Sequence, residues 1–390
     1  MNVLFVTTSY PIRCGSSSGI FVKRLVSRLS RSHSVKVVVP ADASSEPICV
    51  SQEGLQILDF RYAPRRWQVL AHSPGGIPVA LRNRPWMYLM IPFLLGGMFL
   101  HCLWYGRNST VIHANWAITG LIAGLAGRLV GVPVVVTLRG EDVGRSSRKA
   151  VNRWILKKGI ALCNQVVGVS EAIVADIKQQ FPQYSDKCRL IENGVGDGFL
   201  SIRRSVCPKP QLRLLSVGSL IPRKGMNTII DAVAGMTEIS LTVIGDGQER
   251  KNLVRLIEKY DLSHRVRLVG WVSPDEMPEF FAEHDVLVLA SYSEGRPNVV
   301  LEAMAAAMPV VASAINGVDE LVQPEVTGML FPPGDSDALA SCIERLLQND
   351  RLMRDMGNNG RKYIVDQELS WEKTAEKYSR VYGQIVTGVC

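Results

Sequence analysis

Residues 285–313 read DVLVLASYSEGRPNVVLEAMAAAMPVVAS, and the fold is legible in this stretch. Val286–Ala290 is a short apolar run without polar alternation, which suits a strand covered on both faces of a parallel sheet. A polar loop follows from Ser291 to Arg296. A helix is expected from about Pro297–Asn298, because proline's missing N–H is an orphan in the first helical turn anyway. A second apolar run returns at Val310–Ala312. The exposed N–H groups near Asn298, Val299 and Val300, with the positive end of the helix dipole, make a site for an anion. Glu294 precedes that site, separated from it by Gly295, Arg296 and Pro297, and Glu302 lies one turn past Asn298 on the same face. Two solvated surface glutamates are the ordinary alternative. The strand–loop–helix setting and the small-residue helix EAMAAAMP favour a site.

The same pattern extends in both directions. Val3–Thr7, Val35–Val39, Val111–His113, Val134–Leu138 and Val166–Val169 are further strand candidates, with helical stretches at Phe21–Ser30 and Thr119–Val130. After SIRRSVCPKPQ (201–211), a basic, proline-bearing stretch that reads as a linker, a second series begins: Leu212–Val217, Leu241–Ile244, Val266–Val269 and the two runs above. The expected fold class is therefore α/β, two Rossmann-like doubly wound domains facing each other across a cleft, spanning 1–204 and 205–370. A helix over 371–390 is expected to pack back across the junction. Ligands of such sheets bind beyond the carboxyl ends of the strands, so the loops there hold the candidate chemistry.

In LRLLSVGSLIPRKGMNTIIDAV (212–233), a strand runs into Gly218 and Ser219, and the loop brings Arg223 and Lys224 to the mouth of a helix. Two cations there would balance charge growing on a departing diphosphate, at roughly 3 kcal/mol per well-placed donor. Gly245, Asp246 and Gly247 of VIGDGQER and Trp271 and Val272 of GWV are further turns on the same edge, able to approach a base through backbone atoms. With Glu302 accepting from a ribose diol, Glu294 nearer the sugar, and Gly295, Arg296, Pro297, Asn298 and Val299 between them on the donor side, the set suits a nucleotide-diphosphate sugar. Neither G-x-G-x-x-G nor G-x-x-x-x-G-K-[ST] occurs. In the first half, the loop TTSYPIRCGSSSG is small and flexible around Gly15 and Gly19, and Gly19 opens a helix whose N–H groups could reach donor phosphates; an ordinary mobile loop is the alternative.

Six ordered segments make the chain resemble a family 4 glycosyltransferase of the GT-B fold: the E-x7-E element (Glu294, Glu302), SVGSLIPRKG, VIGDGQER, IENGV, TLRGEDV and VVGVSEAI. The resemblance covers nearly the whole chain. It implies transfer with retention of configuration, a UDP- or GDP-sugar donor bound mainly by the second domain, and an acceptor bound mainly by the first. By the same resemblance His113 and Asn115 fall where relatives often carry His-x-His, Arg139 where histidine is frequent, and Asp142 at the usual acidic position. Ser219 stands where many relatives place an arginine, so Arg223 and Lys224 carry more of the phosphate work. The catalytic set is then Glu294, Lys224, Arg223, His113 and Asn115, with Arg139, Asp142 and Gly15 on the acceptor side. His113 as a buried, satisfied histidine is the competing reading. A nucleotide-sugar 2-epimerase of the same fold and a non-catalytic binding protein are the competing functions.

Bulk composition narrows little further. The formal charge of +8 suits anionic partners; the basic residues are dispersed without interleaved aromatics, so nucleic acid is not expected. No cofactor and no essential metal are expected, since no Asp/His cluster offers ligands. The eight cysteines are scattered without C-x-x-C pairs, as in a reducing cytosol, and the N-terminus lacks a basic leader region. Trp86–Tyr105, WMYLMIPFLLGGMFLHCLWY, carries no Asp, Glu, Lys or Arg and is flanked by Arg82, Arg84 and Arg107. Pro92, Gly96–Gly97 and His101, together with the strand that follows at once, argue against a span and leave a buried or a surface-dipping helix. The expected location is the cytoplasm, at the inner face of a membrane, and the acceptor a saccharide or lipid-linked saccharide.

Overall fold

The computed structural model describes residues 1–12, 19–43, 53–72, 76–146, 149–204 and 211–388. The chain forms two compact units, Met1–Asn193 with Trp371–Cys390, and Gly194–Ser370. In the first, the elements run β1 (Asn2–Val6), α1 (Ile20–Leu29), β2 (Ser34–Pro40), β3 (Leu55–Phe60), α2 (Gly76–Asn83), α3 (Ile91–Gly106), β4 (Val111–Asn115), α4 (Ala117–Val130), β5 (Val134–Leu138), α5 (Glu141–Ser146), α6 (Ala150–Leu162), β6 (Gln165–Gly168), α7 (Glu171–Gln180) and β7 (Cys188–Leu190). The sheet is parallel throughout, in the order β3-β2-β1-β4-β5-β6-β7. Period-two alternation divides its core: Leu4, Val38 and Ile112 face one layer of helices, while Val3, Phe5, Val35 and Val111 face the other. The strand order reverses between β1 and β4, so the loops leaving those two strands border a crevice of the kind that binds ligands in open α/β sheets.

The second unit runs α8 (Asp197–Leu200), β8 (Leu212–Val217), α9 (Met226–Val233), β9 (Ile239–Ile244), α10 (Arg250–Lys259), β10 (Val266–Gly270), α11 (Met277–Glu283), β11 (Val286–Leu289), α12 (Asn298–Ala305), β12 (Val310–Ser313), β13 (Gly328–Phe331), α13 (Ser336–Leu347) and α14 (Asp350–Asp366). Its parallel order is β10-β9-β8-β11-β12-β13, and the reversal falls between β8 and β11. The last helix, α15 (Trp371–Thr387), belongs to the first unit, where Trp371, Ala375, Tyr378 and Tyr382 present one buried stripe to the layer that also holds α1.

The boundary between the units is a correction to the division at 204/205. Val195, Phe199 and Ile202 pack with Leu215, Phe281 and Leu287 of the second unit. The Arg204 guanidinium donates to the carbonyls of Phe281 at 2.6 Å, His284 at 2.6 Å and Ala306 at 2.8 Å. Residues 194–204 therefore join the second core before the proline-bearing stretch begins. Of the apolar segment, Met87, Leu94, Met98 and Cys102 are buried, but Leu89, Phe93, Leu100 and Trp104 are 63–71 % exposed, so a wholly buried helix is also corrected. Pro85–Gly106 is long and apolar enough to cross a membrane.

Candidate functional site

The loops leaving β8 and β11 flank the strand-order reversal of the second unit, and this topology brings together side chains seventy positions apart in sequence. Lys224 Nζ donates to Glu294 Oε1 at 2.5 Å, and Ser291 Oγ donates to the same oxygen at 2.7 Å. Arg223 Nη1 donates to Ser293 O at 2.8 Å, while its own carbonyl accepts from Tyr292 N at 2.8 Å. The two loops are thus tied by backbone as well as by charge. Both partners of the ion pair are largely covered, Lys224 at 16 % and Glu294 at 10 % side-chain exposure. Burial by itself would push the Glu294 carboxyl up; the Lys224 and Arg223 charges and the two hydrogen bonds outweigh it and hold the group below the usual carboxylate range.

Gly225 makes this approach sterically possible. It sits at φ 60° at the start of α9, and a Cβ there would lie 2.1 Å from Ala290 O at the end of β11. Only a glycine fits both the left-handed backbone and the contact. Gly225→Ala is expected to lower the melting temperature of the second unit by roughly 5 °C or more, since the backbone conformation alone costs about 1–2 kcal/mol. Differential scanning calorimetry checks this; an unchanged transition would remove the packing argument for where Lys224 sits.

The other expected residues distribute as follows. Gly218 and Ser219 leave β8; Gly245, Asp246 and Gly247 leave β9; Trp271, 41 % exposed, and Val272 leave edge strand β10, two strands from β8. A Cβ on Gly245 would meet Gly218 O at 1.9 Å, so the β8 and β9 loops lie flush. Asp246 Oδ1 accepts from Gly247 N at 2.7 Å within its own turn. Pro297 is the N-cap of α12, placing the helix start at Asn298, with Val299 in its first turn and Glu302 9 % exposed one turn further on. Gly295 packs under Gly317, whose Cβ would fall 2.3 Å from Gly295 O. Arg296 is a correction: its side chain is 2 % exposed and turned inward, Nη1 standing 3.7 Å from Glu320 Oε2.

A second cluster gathers at the strand ends of the first unit. Arg139 is buried at the end of β5, donating from Nε and Nη2 to Asn115 Oδ1 at 3.2 and 3.1 Å and from Nη1 to Asn193 Oδ1 at 3.1 Å, with its guanidinium 3.9 Å from the centre of the Phe21 ring. Burial brings its pKa down to about 10, with the nearby Tyr378 and Asp142 groups acting in the opposite direction, so it stays cationic at neutral pH. Asp142 Oδ2 accepts from Ala117 N at 3.1 Å, at the start of α4. Gly19, at φ 73°, caps α1 with its backbone pressed on Ser9 and Tyr10; Gly15 lies outside the described residues.

His113 is corrected from the catalytic set. It is wholly buried, with Nδ1 2.5 Å from Tyr382 Oη and Nε2 2.8 Å from Thr137 Oγ1, so both ring nitrogens are occupied inside the core. Burial and the Arg139 charge hold it neutral, well below the usual histidine range. Phe21, Trp116, Asn193, Ser291 and Glu320 were not foreseen. Trp116 had no signal in the residue string: it adopts φ 82° between β4 and α4, a strained value for a side chain of that size, with its ring edge-on to Phe21. Asn193 lies within the quoted IENGV segment, and Ser291 stands one helical turn's spacing before Glu294. Among the described residues no group of three or more His, Cys, Asp or Glu comes together.

Residues 18–197 match the glycosyltransferase family 4 model, and residues 201–363 the model for glycosyl transferases group 1. An uncharacterized glycosyltransferase of Methanocaldococcus jannaschii is 28 % identical over 318 residues, covering 81 % of this chain and 85 % of the relative. Among solved structures, sucrose-phosphate synthase from Thermosynechococcus elongatus superposes with a TM-score of 0.82 at 23 % identity, with full coverage of both chains. Anabaena HepE in complex with UDP-glucose gives 0.76 at 17 % identity, covering 98 % of this chain and 100 % of that one. With its two parallel, doubly wound units and the two family models together spanning nearly all of the sequence, this chain belongs to the family 4 glycosyltransferases and has the GT-B fold.

Proposed function

We propose that this glycosyltransferase moves a sugar from a UDP- or GDP-sugar to a hydroxyl of a saccharide or lipid-linked saccharide, with retention of configuration. The observation that carries the reading is the Lys224–Glu294 pair beside the N-terminus of α12. An ammonium has three donors, and Glu294 takes one of them; the others remain for phosphate oxygens. Arg223 and the N–H groups of Asn298 and Val299 would share that charge, and Glu302 would take the ribose. No resident metal is invoked, because the cations on β8's loop fill that role. The HepE complex with UDP-glucose lends support to a uridine donor.

In this mechanism the bond from the sugar's C1 to the diphosphate oxygen loosens first and C1 gains oxocarbenium character. The acceptor oxygen then bonds to C1 from the same face, and its proton passes to the departing phosphate oxygen. The protein orients the partners and holds the developing negative charge. Arg139, fixed by Asn115 and Asn193, is assigned to the acceptor side. The epimerase alternative needs an acid or base beside the sugar ring, and the buried, doubly bonded His113 does not offer one.

A thermal-shift screen of UDP-, GDP- and ADP-sugars tests the donor. At a ligand concentration of 100 times Kd the true donor stabilises by about 2.7 kcal/mol. The product's anomeric configuration, read by NMR, is expected to equal the donor's. Inversion, or conversion of donor alone to its C2 epimer, would replace this proposal.

A further inference from the structure

The charge of the chain is distributed very unevenly. Between Phe60 and Ser170 there are fourteen Lys and Arg against two Asp and Glu, Glu141 and Asp142. This segment supplies α2, α3, α4 and α6, none of which carries a carboxylate. The last three lie side by side on one face of the first sheet, α3 against α4 and α4 against α6, and contribute to one core cluster. The outward surface of α3 is apolar, and those of α4 and α6 mix exposed apolar residues with the cations Arg128, Arg153, Lys157 and Lys158. On α3 and the turn before it, Leu89, Phe93, Leu100 and Trp104 recur at helical spacing and are 63–71 % exposed. Leu129 of α4 is 71 % exposed, and Trp154 of α6 55 %. Three neighbouring helices thus expose large apolar side chains beside cations and no carboxylate, more than the scattered apolar residues of an ordinary surface.

We propose that this face docks on an anionic lipid bilayer, with the apolar side chains of α3, α4 and α6 dipping among the acyl chains and the surrounding cations on the headgroups. Trp86, with its ring edge-on to Trp67 at 5.8 Å, and Trp104 mark the two ends of the apolar segment, where indole rings prefer the interface. Arg82 and Arg84 precede the segment and Arg107 follows it, all exposed; Arg66 stacks on Trp67, and Arg153 and Lys157 flank Trp154 on α6. A second copy of this chain would bring the same cations against one another, and the carboxylate-free helices offer them no partner. α3 lies on the surface rather than across it. Leu94, Met98 and Cys102 on its opposite side are at most 1 % exposed, in the same core cluster as Leu4 and Val38, and a crossing helix would have to abandon that packing.

The inference does not depend on the donor reading, and its test needs no activity. Purified full-length protein is floated with vesicles of phosphatidylcholine containing about 30 % phosphatidylglycerol, and with pure phosphatidylcholine. Partitioning is expected to be at least tenfold stronger on the anionic vesicles. Phe93→Ser/Leu100→Ser/Trp104→Ser, all exposed positions, is expected to keep the melting temperature and lose at least tenfold in partitioning. Each of Arg82→Gln, Arg84→Gln and Arg107→Gln is expected to weaken it by up to about fivefold. Equal flotation on both vesicles, or none on either, overturns the proposal. So does a dimer in analytical ultracentrifugation that the triple serine variant dissolves, or binding that resists alkaline carbonate extraction.

Discussion

Lys224→Ala is expected to lower kcat by about a hundredfold at saturating donor, the loss typical of removing one preorganised donor from a developing anion. Affinity for the nucleotide sugar is expected to fall much less, because Arg223 and the N-terminus of α12 still meet the diphosphate in the ground state. The charge that Lys224 meets is largest once the C1–O bond has loosened, so its removal shows in turnover before binding. Turnover near the wild-type rate would sink the assignment of β8's loop as the leaving-group site.

The same substitution leaves Glu294 covered and without its ammonium partner, for which a stability loss of about 3 kcal/mol is expected at pH 7. The sign of the pH dependence separates folding from chemistry. In the native protein the Glu294 carboxyl is held below its ordinary value, so its stabilising contribution is present above the unfolded value of about 4.3 and is lost as pH falls through the folded one. Without Lys224 the carboxyl loses a main cause of that depression and takes up a proton at higher pH. The stability gap between the two proteins is therefore expected to narrow from pH 7 to pH 4. Paired denaturant titrations measure it, while the kcat loss persists at the pH optimum.

The parts of the fold that were legible in the sequence are those buried on both faces. β1, β2, β4, β5, β6, β8, β9, β11 and β12 are all interior strands, and each shows as a mainly apolar run, interrupted by a charge only at Lys36 in β2 and Arg213 in β8. The three strands not foreseen, β3, β7 and β13, are all at sheet edges. LQILDF in β3 alternates with polar residues, β7 is three residues long, and β13 opens on a glycine, so none carries the apolar-run signal. The Lys224–Glu294 meeting was foreseen as shared membership of one domain's strand-end loops; that the two would be tied by an ion pair depends on strand order, which periodicity does not encode. His113 shows the opposite case. A histidine at a strand end reads as reactive until the C-terminal helix supplies Tyr378 and Tyr382 to bury it, and that contact spans more than 260 positions. Arg296 likewise reads as a donor-side residue because its partner, Glu320, lies in a different loop.

The role of α15 leads to the second large expectation. Deleting residues 371–390 is expected to abolish cooperative folding of the first unit. Trp371, Tyr378 and Tyr382 are each at most 2 % exposed in the core layer with Phe5, Val37 and Val111. Three such side chains are worth roughly 5–9 kcal/mol as an upper estimate, which is comparable to the whole net stability of a domain. Polar groups would be stranded as well. His113 Nδ1 would lose Tyr382 Oη, and Thr137 Oγ1 would lose Tyr378 Oη at 2.9 Å. Outside the core, Glu372 would no longer pair with Arg28 at 3.1 Å or with Arg31, though exposed pairs of this kind add little. Hydrogen exchange on the truncated chain should show protection lost across β1, β4 and β5 and kept in β8, β9 and β11. Tyr382→Phe isolates the polar part, and a loss of about 1–3 kcal/mol is expected from the unpaired histidine nitrogen. A truncated chain that retained protection in β1, β4 and β5 would mean that α1 and the sheet close that layer without the helix, and that the burial of Tyr378 and Tyr382 contributes little to holding the first unit together.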